Sequence, residues 1–287
     1  MGYTFMWAVV SAMFFQSGSS LVPQFDRIAR MAQGRVGAAV MLLDRGEPAG
    51  IGMDERFPMA SVFKLPVAMA VLRQVDQAKL SLDQNILVKK TDFVPKGSYS
   101  VIRDQHPDGN AEISVRELLR AMMVVSDGTA CDVLLRMGGG PPAVAGYLKS
   151  IQVNDVVVAV SQKEMYGSPE SQGRNWATPR GALNLLRALH QETSLSQTSR
   201  TLLLQLMAEC RTGPKRIRGL LPPGAVVSHK TGSLGARATN DVGIVTLPDG
   251  RKMAIAVFVS ESNAREAVRE QVIAEIARAA WMHYSGH

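Results

Sequence analysis

Apolar and polar positions change rhythm along the chain, and the changes mark its elements. Near the start, "RVGAAVMLL" (35 to 43) is an unbroken apolar run of strand length. Three more lie near the end: "AVVSHKTG" (225 to 232), "NDVGIVTLP" (240 to 248) and "KMAIAVFVS" (252 to 260). Pro248-Asp249-Gly250 between the last two is a turn signal, which makes them a hairpin. The middle of the chain keeps the period of a helix instead. Residues 62 to 75 predict one helix whose first turn is made irregular by Pro66, a residue without a backbone donor. Ser114 to Glu117 is a capping-box pattern opening a helix with Val115, Leu118, Leu119 and Met122 on one face, and Met122 and Met123 read as core. Thr178-Pro179 and Ser196 open two further helices, and 264 to 284 is a long final one.

Strands at opposite ends of a chain must find partners. The simplest arrangement is one antiparallel sheet covered by the terminal helices, with the middle helices inserted as a second lobe. The expected class is therefore α+β with two lobes: residues 20–56 and 215–287 form an α/β lobe, 57–214 an all-α lobe, and a cleft lies between them. One stretch fits neither period. Residues 161 to 177, "SQKEMYGSPESQGRNWA", are polar and contain Gly and Pro, and a segment of this kind inside a compact domain is usually a functional loop or disordered.

Composition narrows the picture further. At 287 residues, 46% hydrophobic and 20% charged, the chain can bury a sizeable core. Its net charge of +7 would suit a polyanion, but Lys and Arg are scattered without runs, so no nucleic-acid partner is expected. The first nineteen residues lack Lys, Arg, Asp and Glu, and "FMWAVVSAMFF" (5 to 15) is too short to span a bilayer. Residues 1–19 thus read as a signal peptide cleaved near Ser19, which makes the protein exported, periplasmic or secreted. The missing positive charge leaves an uncleaved anchor or a different start residue open. No other stretch could span a membrane. Cys131 and Cys210 are too few for a disulfide framework, although export would permit one bond, and Cys131 reads as a buried small hydrophobe. His106, His190, His229, His283 and His287 have no ligand spacing, so neither metal nor cofactor is expected. His229 reads as a strand-face histidine.

The candidate chemistry begins at "ASVFKLP" (60 to 66). Ser61 and Lys64 share a helix face, bringing an amine within reach of a hydroxyl, and the helix N-terminus favours negative charge on the oxygen. One Ser-x-x-Lys is about what chance supplies, and a capping serine with a solvated lysine would explain it equally well. Two more motifs follow. Ser126-Asp127-Gly128 comes after an amphipathic helix, and Lys230-Thr231-Gly232 ends an apolar strand, each at the edge of a buried element. Their order, with the middle motif altered, is the Ser-x-x-Lys, Ser-Asp-Asn, Lys-Thr-Gly set of class A β-lactamases and penicillin-binding proteins.

From about residue 24 onward the chain resembles a class A serine β-lactamase. "FPMASVFKLP", "SDGTACDVL", "NWATP", "TGPKRIRGLLPPG" and "ATNDVGIVTLPDG" are similar to segments of that family, particularly of the subgroup with extended-spectrum members. The resemblance implies the two-lobe fold, a monomer, and a small-molecule β-lactam as substrate. It implies that Ser61 attacks the lactam carbonyl, Lys64 joins the proton transfer, Ser126 relays a proton to the leaving nitrogen, and Lys230 keeps that corner positive. It makes the N–H groups of Ser61 and Ser233 an oxyanion hole, and gives the substrate carboxylate to Thr231 and Ser233 with an arginine. The late-strand arginine of the pattern is replaced by Val242, and Arg216 fits the alternative seen in some members. Gly232 completes the third motif, and Tyr99 is a candidate for the cleft wall or simply a surface aromatic.

Two departures stand out. Gly128 occupies the place of an asparagine that contacts the substrate amide, which implies altered selectivity. Gln162 falls where the family has the glutamate that activates the deacylating water. An amide can orient water but cannot take its proton, and general-base help is worth roughly 10²–10⁴-fold. Glu164 and Glu170 lie nearby in sequence, but Glu164 matches a family position that points elsewhere and would serve as a base only with a slipped register or a different loop conformation. The alternatives are a D,D-peptidase acting on peptidoglycan stem peptides, or a β-lactam trap that acylates once and stays acylated.

Overall fold

The computed structural model describes residues 21–191 and 194–286; the leader expected over 1–19 lies outside them. The chain starts with α1 (Leu21–Ala29) and enters the sheet with β1 (Arg35–Leu42) and β2 (Ala49–Ile51). A short β3 (Phe57–Pro58) leads into a 3₁₀ turn at Ala60–Phe63 and α2 (Lys64–Asp76). Pro66 stands in the first turn of α2, where its missing donor costs nothing, so the irregularity that it predicted falls in the 3₁₀ turn before it.

The middle segment is predominantly helical. It contains β4 (Asn85–Val88), α3 (Val101–Gln105), β5 (Ala111–Ser114), α4 (Val115–Val124), α5 (Gly128–Met137) and α6 (Gly140–Ser150). Then come β6 (Val156–Val157), α7 (Gln162–Met165), β7 (Trp176–Ala177), α8 (Pro179–His190) and α9 (Gln197–Ala208). Its caps follow the residues that signalled them. The Ser114 side chain accepts from Glu117 N–H while the Glu117 side chain accepts from Ser114 N–H, and the Thr178 and Ser196 side chains accept from the N–H groups of Gly181 and Ser199. Two short ladders, β4 with β5 and β3–β7–β6, also form here without a period in the sequence to announce them.

The chain returns to the sheet through β8 (Val227–Leu234), β9 (Ala238–Thr246) and β10 (Lys252–Ser260), and ends in α10 (Glu266–Ser285). The five-stranded order is β2-β1-β10-β9-β8, antiparallel throughout, so the first strand pairs with the last and β8 forms one edge. Both faces are covered, and the residues alternate between two cores. Ala39, Met41, Ala254, Ala256 and Phe258 join the core shared with the helical segment. Ala38, Val40, Ile255, Val257 and Val259 pack with Phe25 of α1 and Val272, Ile276 and Trp281 of α10. A strand buried on both faces has no polar side, which is why these strands read as unbroken apolar runs. The fold is α+β, and its cleft opens along the free edge of β8.

Candidate active site

The 3₁₀ turn carrying Ser61 is forced by its surroundings. Ala60, immediately before it, holds φ +45°, a conformation that L residues avoid. Behind it runs β8, and Gly232 lets the strand come close: a Cβ there would lie 2.4 Å from the Met59 carbonyl oxygen and 3.1 Å from Ser61 N. Asn240 of β9 locks the turn from below by donating to the carbonyls of Pro58 and Met59 at 2.8 and 3.1 Å.

Three motifs from three elements meet at one hydroxyl. Lys64 Nζ donates to Ser61 Oγ at 3.1 Å, to the Ser126 carbonyl at 2.7 Å and to Ser126 Oγ at 3.2 Å. Lys230 Nζ donates to Ser126 Oγ at 3.0 Å and to the Thr231 carbonyl at 3.1 Å. Both ammonium groups are buried, and none of these acceptors carries a charge. Burial holds the Lys64 amine well below the usual lysine range, only partly opposed by Asp127 and Asp132. Burial lowers Lys230 to about 8, with Lys64 pushing the same way. Ser126 itself sits at φ +62° in the turn between α4 and α5, held by its neighbour: Asp127 caps α5 through Ala130 N–H at 2.9 Å and accepts from Ser100 Oγ and Ile102 N–H.

The cleft over these groups has a volume of about 550 Å³, and its walls include Ser61, Lys64, Ser126, Gln162, Thr231 and Ser233. No Asp or Glu is among its lining residues. Tyr99 forms part of the wall, with 58% of its surface exposed. Arg216 lies behind the site and does not line it. It is buried, donates to Ser233 Oγ at 2.7 Å and to the carbonyls of Gly232 and Asn240 at 3.1 Å, and is paired with Glu270. Val242 stands opposite Lys230 in the ladder, buried in the core.

Residues 161–177 cross the cleft floor as α7, a 3₁₀ turn and β7. The buried Asn175 side chain clamps the base of this loop to Ala159 N–H, Val160 N–H and the Val160 carbonyl. The Asp132 carboxylate on α5 clamps the other side, accepting from Gln162 N–H at 2.6 Å and Lys163 N–H at 2.8 Å. Burial raises Asp132 to about 6, against the pull of those two N–H groups. Gln162 is buried; its Nε2 donates to Ser98 Oγ at 3.2 Å, and its Oε1 has no partner among the described residues. Gly128 packs under this pair: a Cβ there would lie 2.8 Å from Ser98 Oγ and 3.0 Å from Gln162 Cγ.

Two carboxylates lie near Gln162 in the chain, Glu164 and Glu170. Glu164 is spent on the cap of α7, accepting from Ser161 N–H at 2.8 Å, and those hydrogen bonds hold its carboxyl low. Glu170 is exposed on the outer turn of the loop. Neither carboxylate lines the cleft, so the loop as folded does not offer the alternative conformation that would make Glu164 a base.

Several neighbours escaped the sequence reading. Arg211, Thr212 and Tyr166 line the cleft, and Asp132 anchors the loop. An acid between the apolar residues Cys131 and Val133 of α5 was the one available signal for Asp132. His229 lies on β8 as a buried residue with Nδ1 2.9 Å from Asp241. Both cysteines are free thiols.

A family model described as the Beta-lactamase enzyme family matches residues 20–284. The chain is 40% identical over 266 residues to extended-spectrum beta-lactamase PER-1 of Pseudomonas aeruginosa, covering 91% of this chain and 86% of that one. Beta-lactamase VEB-1 of the same organism is 33% identical, with 92% and 90% covered. Among solved structures, TLA-1 extended-spectrum beta-lactamase aligns at TM-score 0.91 with 36% identity, covering 94% and 100% of the two chains. A beta-lactamase from Chitinophaga pinensis aligns at 0.87 with 43% identity, covering 90% and 97%.

Proposed function

Because this chain belongs to the class A β-lactamase family and is a serine β-lactamase, we propose that Ser61 is the nucleophile that opens the lactam amide and carries the acyl group. The observation that carries this assignment is the cluster in which Lys64 reaches both Ser61 Oγ and Ser126 Oγ while Lys230 holds the latter from the other side. In its neutral form, which burial favours, Lys64 takes the Ser61 proton as Oγ attacks the carbonyl carbon. The proton passes through Ser126 Oγ to the departing lactam nitrogen. Charge on the carbonyl oxygen is met by the N–H groups of Ser61 and Ser233, the latter on the edge strand β8; one such donor is worth roughly 10²–10³ in rate.

The substrate carboxylate sits against Thr231 and Ser233 near Lys230, and Arg216 acts from behind by orienting Ser233 Oγ. Arg211 at the mouth adds a second positive charge. The family pattern is altered at Gly128 and Gln162. With no carboxylate lining the cleft, the water that cleaves the acyl-enzyme lacks its usual base, so deacylation limits turnover. Neutral Lys64, which lines the cleft beside Ser61, is able to take that proton. The two-lobe division at residues 57 and 214, export under residues 1–19 and a monomeric state belong to the same proposal; no described helix is long and apolar enough to cross a membrane.

Intact-protein mass spectrometry after mixing with a penicillin tests the proposal. The expected record is rapid gain of one drug mass on Ser61, slow decay, and hydrolysed drug accumulating. An adduct that survives Ser61→Ala would overturn the nucleophile. An adduct that never decays would mean that this cleft traps the drug without turning it over.

A further inference from the structure

Thr239-Asn240-Asp241 stands in β9, a strand that is apolar from Val242 to Val245 and buried on both faces. Three consecutive polar residues buried at such a place are costly unless each has partners. Strand alternation turns Thr239 and Asp241 to one face and Asn240 to the other. On the first face both are satisfied: Thr239 Oγ1 accepts from Arg269 Nε of α10 at 2.8 Å, and Asp241 accepts from Ile217 N–H at 3.1 Å and faces His229 Nδ1 at 2.9 Å. Asn240 faces the nucleophile turn. Its Nδ2 donates to the Pro58 and Met59 carbonyls at 2.8 and 3.1 Å, whereas its Oδ1 is buried with no partner among the described residues. An unmet buried acceptor is a cost that a small apolar residue would avoid. What asparagine offers at this position is its two donors.

Those two carbonyls open the 3₁₀ turn. The Met59 carbonyl also accepts from Val62 N–H at 3.1 Å, so gripping it fixes the peptide plane from which Ala60, at φ +45°, swings round to Ser61. With that plane held, the Ser61 N–H that meets the substrate carbonyl oxygen keeps one direction. Asn240 has a second attachment through its main chain. Its carbonyl accepts from Arg216 Nη1 at 3.1 Å, and the same guanidinium donates to the Gly232 carbonyl at 3.1 Å and to Ser233 Oγ at 2.7 Å. Gly232 stands opposite Asn240 in the ladder, and its backbone passes close behind the Ser61 turn. A short path thus runs from the carboxylate subsite to the nucleophile: Ser233 Oγ, Arg216, Asn240, then the Pro58 and Met59 carbonyls. Every non-covalent link in it is a hydrogen bond of 3.1 Å or less.

We propose that Asn240 is a positioning residue that couples the carboxylate end of the cleft to the Ser61 turn, so that a bound substrate carboxylate speeds acylation as well as holding the drug. The inference rests on the Ser61 assignment above and deepens it. Binding energy from a part of the substrate remote from the reacting bond raises the rate only where it is expressed at the reacting centre. Here a carboxylate on Ser233 Oγ fixes the Arg216 fork, the fork fixes the Asn240 main chain, and the Asn240 amide fixes the two carbonyls that set the nucleophile.

The test is pre-steady-state acylation by a cephalosporin and by its carboxylate methyl ester, with the saturating rate and the dissociation constant measured separately. The wild type is expected to be acylated by the free acid roughly tenfold faster than by the ester at saturation, and to bind the acid more tightly. In Asn240→Ala the rate advantage collapses while the binding advantage remains, because Ser233 and Arg216 keep their side chains. In the double variant Arg216→Lys/Asn240→Ala, the two substitutions lose less acylation rate together than their separate losses predict. A residue that merely supported the fold would lower Tm and slow acid and ester alike, and an unchanged ratio of the two overturns the proposal. So does a wild type that acid and ester acylate at the same saturating rate. If Asn240→Ala does not fold, Arg216→Lys decides: a slowed saturating rate with the free acid supports the coupling, and a raised dissociation constant with that rate intact overturns it. If the wild type forms no adduct on Ser61 with either compound, the Ser61 assignment falls and the coupling with it; an adduct whose acid-to-ester ratio survives Asn240→Ala refutes the coupling alone.

Discussion

Lys64 holds Ser126 at two oxygens, the carbonyl at 2.7 Å and the hydroxyl at 3.2 Å. The first bond steadies a residue at φ +62°, and the second joins its hydroxyl to the nucleophile. One side chain thus maintains both the strained turn and the proton path, so each role can be removed separately.

Ser126→Gly relieves the left-handed backbone and deletes the hydroxyl, whereas Ser126→Ala deletes the hydroxyl and keeps the strain. Both are expected to lose roughly 10²–10⁴-fold in acylation rate. The alanine variant should be the less stable by about 1 kcal/mol, read from denaturant midpoints. Equal stability would mean that the turn carries no strain.

The alkaline side of the activity profile belongs to Lys230. Its pKa of about 8 lies below the ordinary lysine value because burial disfavours the charge. Binding of carboxylate-bearing substrates should therefore fall as pH rises through about 8. Stability moves the other way: between the folded value and the ordinary one the unfolded chain binds the extra proton, so this group makes unfolding harder as pH rises. Pre-steady-state acylation and thermal melts over the same pH range check both signs.

Gln162→Glu restores a carboxylate at a position whose neighbouring Ser98 hydroxyl can donate to it. The expected result is faster deacylation, by roughly 10²-fold, with acylation little changed. Decay of the acyl-enzyme in rapid-quench mass spectrometry measures it; unchanged decay would mean that the loop holds residue 162 away from the ester.

Gly128→Asn does not reinstate the family contact at no cost. Its Cβ would lie 2.8 Å from Ser98 Oγ and 3.0 Å from Gln162 Cγ, so these must shift together. The expected outcome is a loss of about 1–3 kcal/mol in stability with altered substrate preference, and pairing it with Ser98→Gly should recover part of the loss.

Arg216→Lys tests the fork behind Ser233. An ammonium cannot serve Ser233 Oγ, two carbonyls and Glu270 together, so KM for carboxylate substrates should rise about tenfold with kcat less affected. A KM unchanged in this variant would remove Arg216 from the carboxylate subsite.

Much of the fold was legible because its elements are local. The apolar runs at 35 to 43 and 252 to 260 lie where β1 and β10 form, and Ser114, Thr178 and Ser196 stand at the caps that they signalled, since a cap needs only partners two or three residues away. The short ladders β4–β5 and β3–β7–β6 were not legible, because strands of two to four residues are too brief to set a period.

The same division runs through the site. By itself the sequence located Ser61-x-x-Lys64, Ser126-Asp127 and Lys230-Thr231, since they are short local motifs, and their resemblance to the family pattern implied the roles of nucleophile, amine and relay. Only the tertiary structure decided that Glu164 is spent on a helix cap, that Gly128 makes room for Ser98 and Gln162, and that His229 faces Asp241 in the core. Those are matters of distance and burial between elements far apart in the chain, and the ionisation of a group follows from what surrounds it in space, which no local pattern records.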